Sequence, residues 1–444
     1  MLDRFLFQKI DNTPLVVFRI FLGTLIALEG FGAIATGWVR RVFVEPDFTF
    51  HFIGFDWLQP LPGYGMYFYF AIMGTLGICI ALGYRYRFSM VCFALMWWAV
   101  YLMQKTSYNN HYYLLALIAS IMCFLPAHRT YSLDARRRPD LQSDAMYAYV
   151  KWIIIFQLFI VYTYAAIAKL YGDWLNFTFL EILLESKSGY PIIGGLLEIG
   201  WFHKFIGISG FLFDLLIVPA LLWKPTRNIA FGCSIFFHLF NSIVFQIGIF
   251  PYMALAFTVF FYEAETVRRL FLRKKKLFKP SFEKPPAYKN PLLIIAGIYF
   301  LAQLLLPVRH HVIEGDVLWT EEGHRLSWRM MLRNRTGRAT FRVVNKADQK
   351  TEVINLKNYL TRKQERRIGA YPDFIWQFAQ YLKEKYAEKG IEIEVFANAR
   401  VSINGRPPAI LIDPKIDLAA IPWDPLRHHH WILPPPWERD ESKD

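Results

Sequence analysis

Apolar residues in this chain gather into long runs instead of alternating. Nine stretches, at about 15–35, 64–83, 88–103, 111–126, 150–168, 203–223, 229–245, 248–262 and 291–307, are apolar and aromatic over lengths that reach or approach a bilayer-crossing helix. The fourth is short enough to be partly re-entrant, and almost nothing separates the seventh from the eighth. Ahead of them, Leu2–Gln8 reads as a short amphipathic lead-in on the membrane surface. Residues 1–14 carry charges and no apolar core, so the first span is expected to be retained.

From about residue 309 the pattern changes. Ser327–Met331 and Ala339–Val344 read as short strands. Asp373–Lys389 reads as a helix, with Phe374, Phe378 and Tyr381 at three-to-four spacing and Gly390 as its stop. Ile391, Ile393, Val395, Ala397, Ala399, Val401 and Ile403 then alternate with more polar neighbours, as in a half-buried strand. Asn404-Gly405 is a turn signal, and Ala409–Ile412 returns as a strand. The expected fold is a polytopic α-helical membrane protein of about nine transmembrane helices (1–308), followed by a C-terminal extramembrane α+β domain (309–444) that ends in Pro434–Pro436 and a charged tail.

Composition supports a membrane protein. Of 444 residues, 55% are hydrophobic and 18% aromatic against 19% charged, more apolar than an ordinary soluble domain. The net charge of +14 is unevenly spread. Counting the spans alternately, one side receives Arg85, Arg87, Arg129, Arg136–Arg138, Lys224, Arg227 and the dense basic run at 268–289. The other receives only Arg40, Arg41, Lys105, Lys169 and Lys187. The positive-inside rule then puts the N-terminus in the cytoplasm and the C-terminal domain outside, periplasmic in a bacterial inner membrane. Topology accounts for the basic residues, so no nucleic-acid partner is expected; the bilayer is. The four cysteines, Cys79, Cys92, Cys123 and Cys233, all lie in apolar segments without paired spacing, which argues against a disulfide scaffold or a zinc site.

The candidate chemistry centres on Phe159–Trp174, where an apolar helix delivers Lys169 at the membrane boundary. Lysines in that position commonly snorkel to the headgroups. Desolvation, however, disfavours the ammonium form, so an amine held there can serve as a general base at ordinary pH. Tyr162, seven residues earlier, shares its face. The alternating topology brings further polar groups to the same depth: Asn109, Asn110 and His111 opening the fourth span, and His238 and Asn241 at i and i+3 on the seventh. Ordinary interfacial residues and interhelical hydrogen bonds would use the same residue types. No metal is expected, since His310–His311 and His428–His430 lack a third ligand at suitable spacing. Hydrolase, phosphate-cradling and dinucleotide motifs are absent. A membrane-embedded base beside phenol and amide groups suits a lipophilic acidic substrate such as a quinol.

With those residues in view, the chain resembles the vitamin K-dependent γ-glutamyl carboxylases, as a bacterial relative of the animal enzyme. The resembling segments are KTSYNNHYYL (105–114), FIVYTYAAIAKLYGDW (159–174), FHLFNSIVFQIGIFPYMAL (237–255), RLSWRMM (325–331) and ARVSINGRPPAILIDPKIDL (399–418) with Trp423. The resemblance implies oxygenation of vitamin K hydroquinone (phylloquinol or menaquinol) to the epoxide, with O2 as oxidant. The strong base formed removes a γ-proton from a glutamate of a protein or peptide substrate, which then adds CO2. It further implies that Lys169 deprotonates the hydroquinone, that His111 assists carboxylation, and that Tyr162, Asn109, Asn110, His238 and Asn241 line the quinone or substrate site. Ala168 stands where the animal enzyme has a second lysine, and no cysteine falls in the C-terminal domain. Two other readings stay open: a quinol oxygenase that carboxylates nothing, and a non-catalytic membrane protein that binds a quinone or lipid.

Overall fold

The computed structural model describes residues 1–439; residues 440–444 of the charged tail lie outside the described residues. The chain opens with a short helix α1 (Leu2–Phe7) and strand β1 (Lys9–Asp11), then α2 (Thr13–Ala35), α3 (Gly65–Leu82), α4 (Tyr86–Met103) and α5 (Asn110–Phe124). A loop carrying α6 (Leu133–Arg137) and β2 (Ala145–Tyr147) leads to α7 (Ala148–Ile167). Two short helices, α8 (Gly172–Leu175) and α9 (Thr178–Glu185), precede α10 (Gly200–Leu222), α11 (Arg227–Phe245) and α12 (Phe250–Phe257). The amphipathic α13 (Ala264–Phe271) then precedes α14 (Lys289–Val308).

Seven of these helices are long and apolar enough to cross a membrane. Two shorter apolar helices, α5 and the stretch from Phe250 to Phe260, stand where the sequence reading places its fourth and eighth spans, an arrangement compatible with about nine. The short fourth span has a physical reason. Every residue of α5 from Tyr113 to Ala119 is buried, so the helix is enclosed by its neighbours rather than by lipid. The closest packing is between α2 and α3, where glycines let two backbones touch. A Cβ at Gly23 would lie 2.3 Å from the Ala81 nitrogen, and one at Gly77 would lie 2.5 Å from that of Ala27.

Basic loops and the two chain ends sort to opposite faces of the bundle. At one face, β1 pairs antiparallel with β2, and Lys275 reaches Asp11 and Asp144. The fully buried Arg19 of α2 pins the same loop, donating to the carbonyls of Ala127 at 2.8 Å and Tyr131 at 2.6 Å. The opposite face carries Lys105, Lys169 and the C-terminal domain.

The C-terminal domain is α+β. Helix α15 (Val317–Thr320) leads through a long loop to β3 (Arg335–Asn345) and β4 (Thr351–Val353). Helices α16 (Arg362–Ile368) and α17 (Pro372–Ala387) precede β5 (Ile393–Ile403) and β6 (Ala409–Ile410). The antiparallel sheet has the order β4-β3-β5-β6. Along β5, alternate residues from Ile393 to Ile403 are buried under Phe374, Ile375, Phe378 and Leu382 of α17, as the period-two pattern predicts. The membrane bundle enters this core: Phe50, from the loop between α2 and α3, stacks on Phe374 at 4.5 Å.

One expected strand does not form. Ser327–Met331 is an irregular loop in which Leu326, Trp328 and Met331 take left-handed backbone angles (φ 59°, 56° and 51°). Its backbone bonds are taken by side chains from elsewhere. Tyr108 Oη accepts from the Leu326 amide at 2.7 Å, Asn110 donates to the Arg329 carbonyl at 3.0 Å, and Arg309 donates to the Arg325 carbonyl. With those groups satisfied, no neighbouring strand is needed. The Asn404-Gly405 turn does form, with φ of 49° and 77°.

Candidate functional site: two cavities sharing one wall

Beneath the C-terminal domain lie two cavities. The first lies between α7, α10, α11 and α12. Its walls are largely apolar, with Trp174, Leu180, Ile206, Phe237 and Phe250 among them. The polar groups it holds are Lys169, Asp214, Tyr162, His238, Asn241 and His111.

Lys169 follows the last turn of α7 and is buried. It is not the lone amine expected from the sequence. Its Nζ donates to Oδ2 of Asp214 at 2.5 Å and to the Ala165 carbonyl at 3.1 Å, and lies 5.1 Å from the centre of the Trp174 ring. Asp214 sits in the middle of α10, so the membrane bundle holds a buried ion pair where the sequence reading places an isolated base. The sequence reading missed Asp214, although its signal was present. An acidic residue inside the apolar run FLFDLLIV is rare and usually functional.

Opposite the pair, Tyr162 Oη stands 3.2 Å from Nε2 of His238, whose other ring nitrogen is buried with no protein partner. Phe213 meets both rings edge-on, fixing their orientation. Asn241 lies one helical turn beyond His238, lining the same space. His111, in the first turn of α5, stacks on Phe250 at 3.9 Å.

The second cavity is more polar and faces the C-terminal domain. Lys105, Arg325, Arg329, Arg333 and Arg367 line it, with Glu321, His324, Asn109 and Asn110. Arg325 binds Asp373 through two contacts, at 2.7 and 3.1 Å, and Lys105 reaches the same carboxylate. Burial works against ionisation of Asp373, but Arg325 and Lys105 together hold its carboxyl below the usual range. Arg333 binds Glu321 at 2.5 Å and His324 Nε2 at 2.7 Å. Burial, reinforced by the surrounding arginines, holds the His324 ring neutral.

His111, Met330 and Met331 border both cavities and form the wall between them. Of the residues singled out from sequence, Lys169, Tyr162, His238, Asn241 and His111 come together around the apolar cavity. Asn109 and Asn110 stand in the polar cleft instead, with their amides engaged. Asn109 caps α5 through the Tyr112 amide at 2.7 Å, and Asn110 accepts from Tyr108 while holding the Arg329 carbonyl. Sequence reading noted RLSWRMM but not its arginines, whose four-residue spacing at 325, 329 and 333 was the available signal. The paired histidines stand apart from both cavities: His428 and His429 clamp Glu322 at 2.6 and 2.8 Å.

The end of the loop that forms the wall is anchored at Asn404, whose Oδ1 accepts from the Asn334 amide at 2.8 Å. Asp173 of α8 receives two bonds from Arg406 at 2.6 Å and one from Asn404 at 2.7 Å, joining the segment beside Lys169 to the β5–β6 turn. No solved structure matches this chain. The vitamin K-dependent gamma-carboxylase lumenal domain family matches residues 288–438. The HTTM domain family matches residues 7–265, more than half of the chain. The protein therefore belongs to the HTTM family and is a vitamin K-dependent γ-carboxylase-like membrane protein, its HTTM bundle followed by a region that matches the lumenal-domain family.

Proposed function

We propose that this protein is a vitamin K-dependent γ-glutamyl carboxylase that couples quinol oxygenation in the apolar cavity to carboxylation of a peptide glutamate in the arginine-lined cleft. The observation that carries the reading is the shared wall: a greasy cavity with a buried amine and a cationic cleft meet at His111, Met330 and Met331. An apolar quinol fits the first, and its hydroxyls have Lys169 and the unpartnered His238 nitrogen to bind. A glutamate side chain fits the second, where the donors outnumber the carboxylates. When bound, the quinol is oxidised by O2 to its epoxide and water, which supplies the base that takes the γ-proton before CO2 adds at that carbon. The domain family's name and the positive-inside count both favour an outward-facing cleft, on the periplasmic side of a bacterial inner membrane.

The residues explain how a proton can leave a quinol without stranding charge. Lys169 hands one proton to Asp214 across their 2.5 Å contact and takes another from the hydroxyl. The ammonium then faces the oxygen on which negative charge develops, and the proton rests on a neutral Asp214. Net charge in the apolar cavity does not change, so no isolated ion has to be desolvated. Tyr162, held by His238, orients the other end of the ring system. His111 stands where the two cavities meet and offers an imidazole to the glutamate side.

The test uses purified protein in nanodiscs with reduced vitamin K, O2, labelled bicarbonate and a glutamate-containing peptide. Epoxide and acid-stable label in the peptide are both expected. Lys169→Ala should lose both, with partial recovery from a small exogenous amine, and Asp214→Asn should slow both by about 100-fold or more, the scale of a lost acid–base partner. Epoxide without label would reduce the reading to an oxygenase. Neither product from folded protein would leave a quinone-binding role.

A further inference from the structure

The loop from Glu321 to Arg335 holds a cluster of buried polar atoms without partners. Six fall within it: Glu321 Oε1, His324 Nδ1, Trp328 Nε1, Arg329 Nε, Arg333 Nε and Arg335 Nη2. Five are donors and one, Glu321 Oε1, is an acceptor; buried donors left unmet are uncommon in folded proteins and are costly unless a ligand meets them. The same loop has non-glycine residues at positive φ at 321, 326, 328 and 331, a concentration of strain typical of functional segments.

Two details define what the donors await. The Nε2 atom of His324 lies 2.7 Å from Arg333 Nη1, and a guanidinium can only donate. The proton of the neutral ring is therefore on Nδ1, the atom with no partner. Arg329 is the second. Of the other cleft cations, Lys105 and Arg325 share Asp373, and Arg333 pairs with Glu321. Arg329 meets the His310 ring at 3.3 Å and, among the described residues, has no carboxylate in ion-pair contact; Asp316 and Glu321 act on it only from longer range. Arg367, on the same cleft, likewise has no carboxylate partner among the described residues.

We infer that Arg329 and His324 form a subsite for a second carboxylate, additional to the glutamate that reacts. This rests on the reading of the cleft as the peptide site and narrows its substrate class to peptides bearing paired carboxylates. Donors with no acceptor of their own, one of them on a cation without a contacting carboxylate, favour an anion over an amide or hydroxyl. The second carboxylate has two chemical sources: a neighbouring acidic side chain of the substrate, or the carboxyl group that the reaction itself adds.

Binding in the absence of quinol and CO2 tests this independently of turnover. Three peptides of one length are compared by calorimetry on nanodisc-held protein: one with Glu-Glu, one with Glu-Gln, and one with a single γ-carboxyglutamate followed by Gln. At least one of the two dicarboxylate peptides should bind about tenfold more tightly than Glu-Gln, the scale of one charge-assisted hydrogen bond. A preference for Glu-Glu alone assigns the subsite to a neighbouring residue; a preference that includes the modified residue assigns it to product. The advantage should fall to about twofold or less in Arg329→Gln and in His324→Gln, and Arg329→Lys should retain most of it. Equal affinity for all three peptides overturns the inference, as does an advantage unchanged in both Gln variants whose thermal unfolding matches the parent. Loss of carboxylation with the binding preference intact would instead count against the proposed reaction.

Discussion

Lys169 and Asp214 are each a liability alone and acceptable only together. Both are buried in a membrane bundle, and removing one leaves the other as an uncompensated charge, at a cost of about 3–5 kcal/mol. Lys169→Met and Asp214→Leu should each lower the thermal unfolding temperature in detergent. The double substitution should recover much of the loss while abolishing quinol oxidation. A fluorescence-monitored double-mutant cycle measures the coupling, and additive losses would mean the pair does not interact. Stability and activity would then separate at one site, which is the signature of an ion pair retained for chemistry.

Among the elements, the one most exposed to pH is the C-terminal strap. His428 and His429 grip Glu322, which is one residue along from the Glu321 that lines the cleft. The hydrogen bond to Glu322 raises His428 above its ordinary value of 6.5, against the opposing effect of burial. Burial works to raise Glu322, but the two histidines hold it below the usual carboxylate range. A raised histidine contributes stability that is complete below its unfolded value and is lost as pH climbs through the folded one; the low Glu322 keeps the pair charged on the acid side. Protection from hydrogen exchange in residues 424–433, corrected for the intrinsic rise of exchange with pH, should therefore fall as pH climbs above about 6.5. In His428→Gln, the lower protection should already hold below that pH. A flat profile in the parent protein would show that the strap is held by Trp423 and Trp431 packing instead.

At the scale of the whole molecule, orientation remains open to a direct experiment. A reporter cysteine at Asn404 is the choice the turn signal invites, but Asn404 is only 3% exposed and bonded to Asp173. Lys350, in the solvent-facing turn between β3 and β4, is the better site, and the four native cysteines lie within apolar helices. Lys350→Cys should react with an impermeant thiol reagent in intact cells. Labelling only after lysis would turn the cleft to the cytoplasm and remove the proposed outward-facing peptide site.

How much of this was legible in advance follows from the range of the forces involved. The helices and the buried face of β5 could be read from the sequence because their periodicities come from local backbone geometry, which repeats along the chain. The sorting of basic loops was legible for a similar reason, since each loop answers to the membrane individually. Most of the site was legible as residue types, because Tyr162, His238 and Asn241 lie on helices whose faces the sequence determined and Lys169 directly follows the first of them. What only the tertiary structure decided is who meets whom. Asp214 is 45 positions from Lys169, and no local pattern links them. Ser327–Met331 reads as a strand by composition, yet Tyr108, Asn110 and Arg309 satisfy the backbone around it and free it to become the wall between two cavities. Asn404 reads as a surface turn until Asp173 claims it. Those outcomes depend on packing between distant segments, where a single side chain's partner changes its role and the hydrophobic pattern is silent.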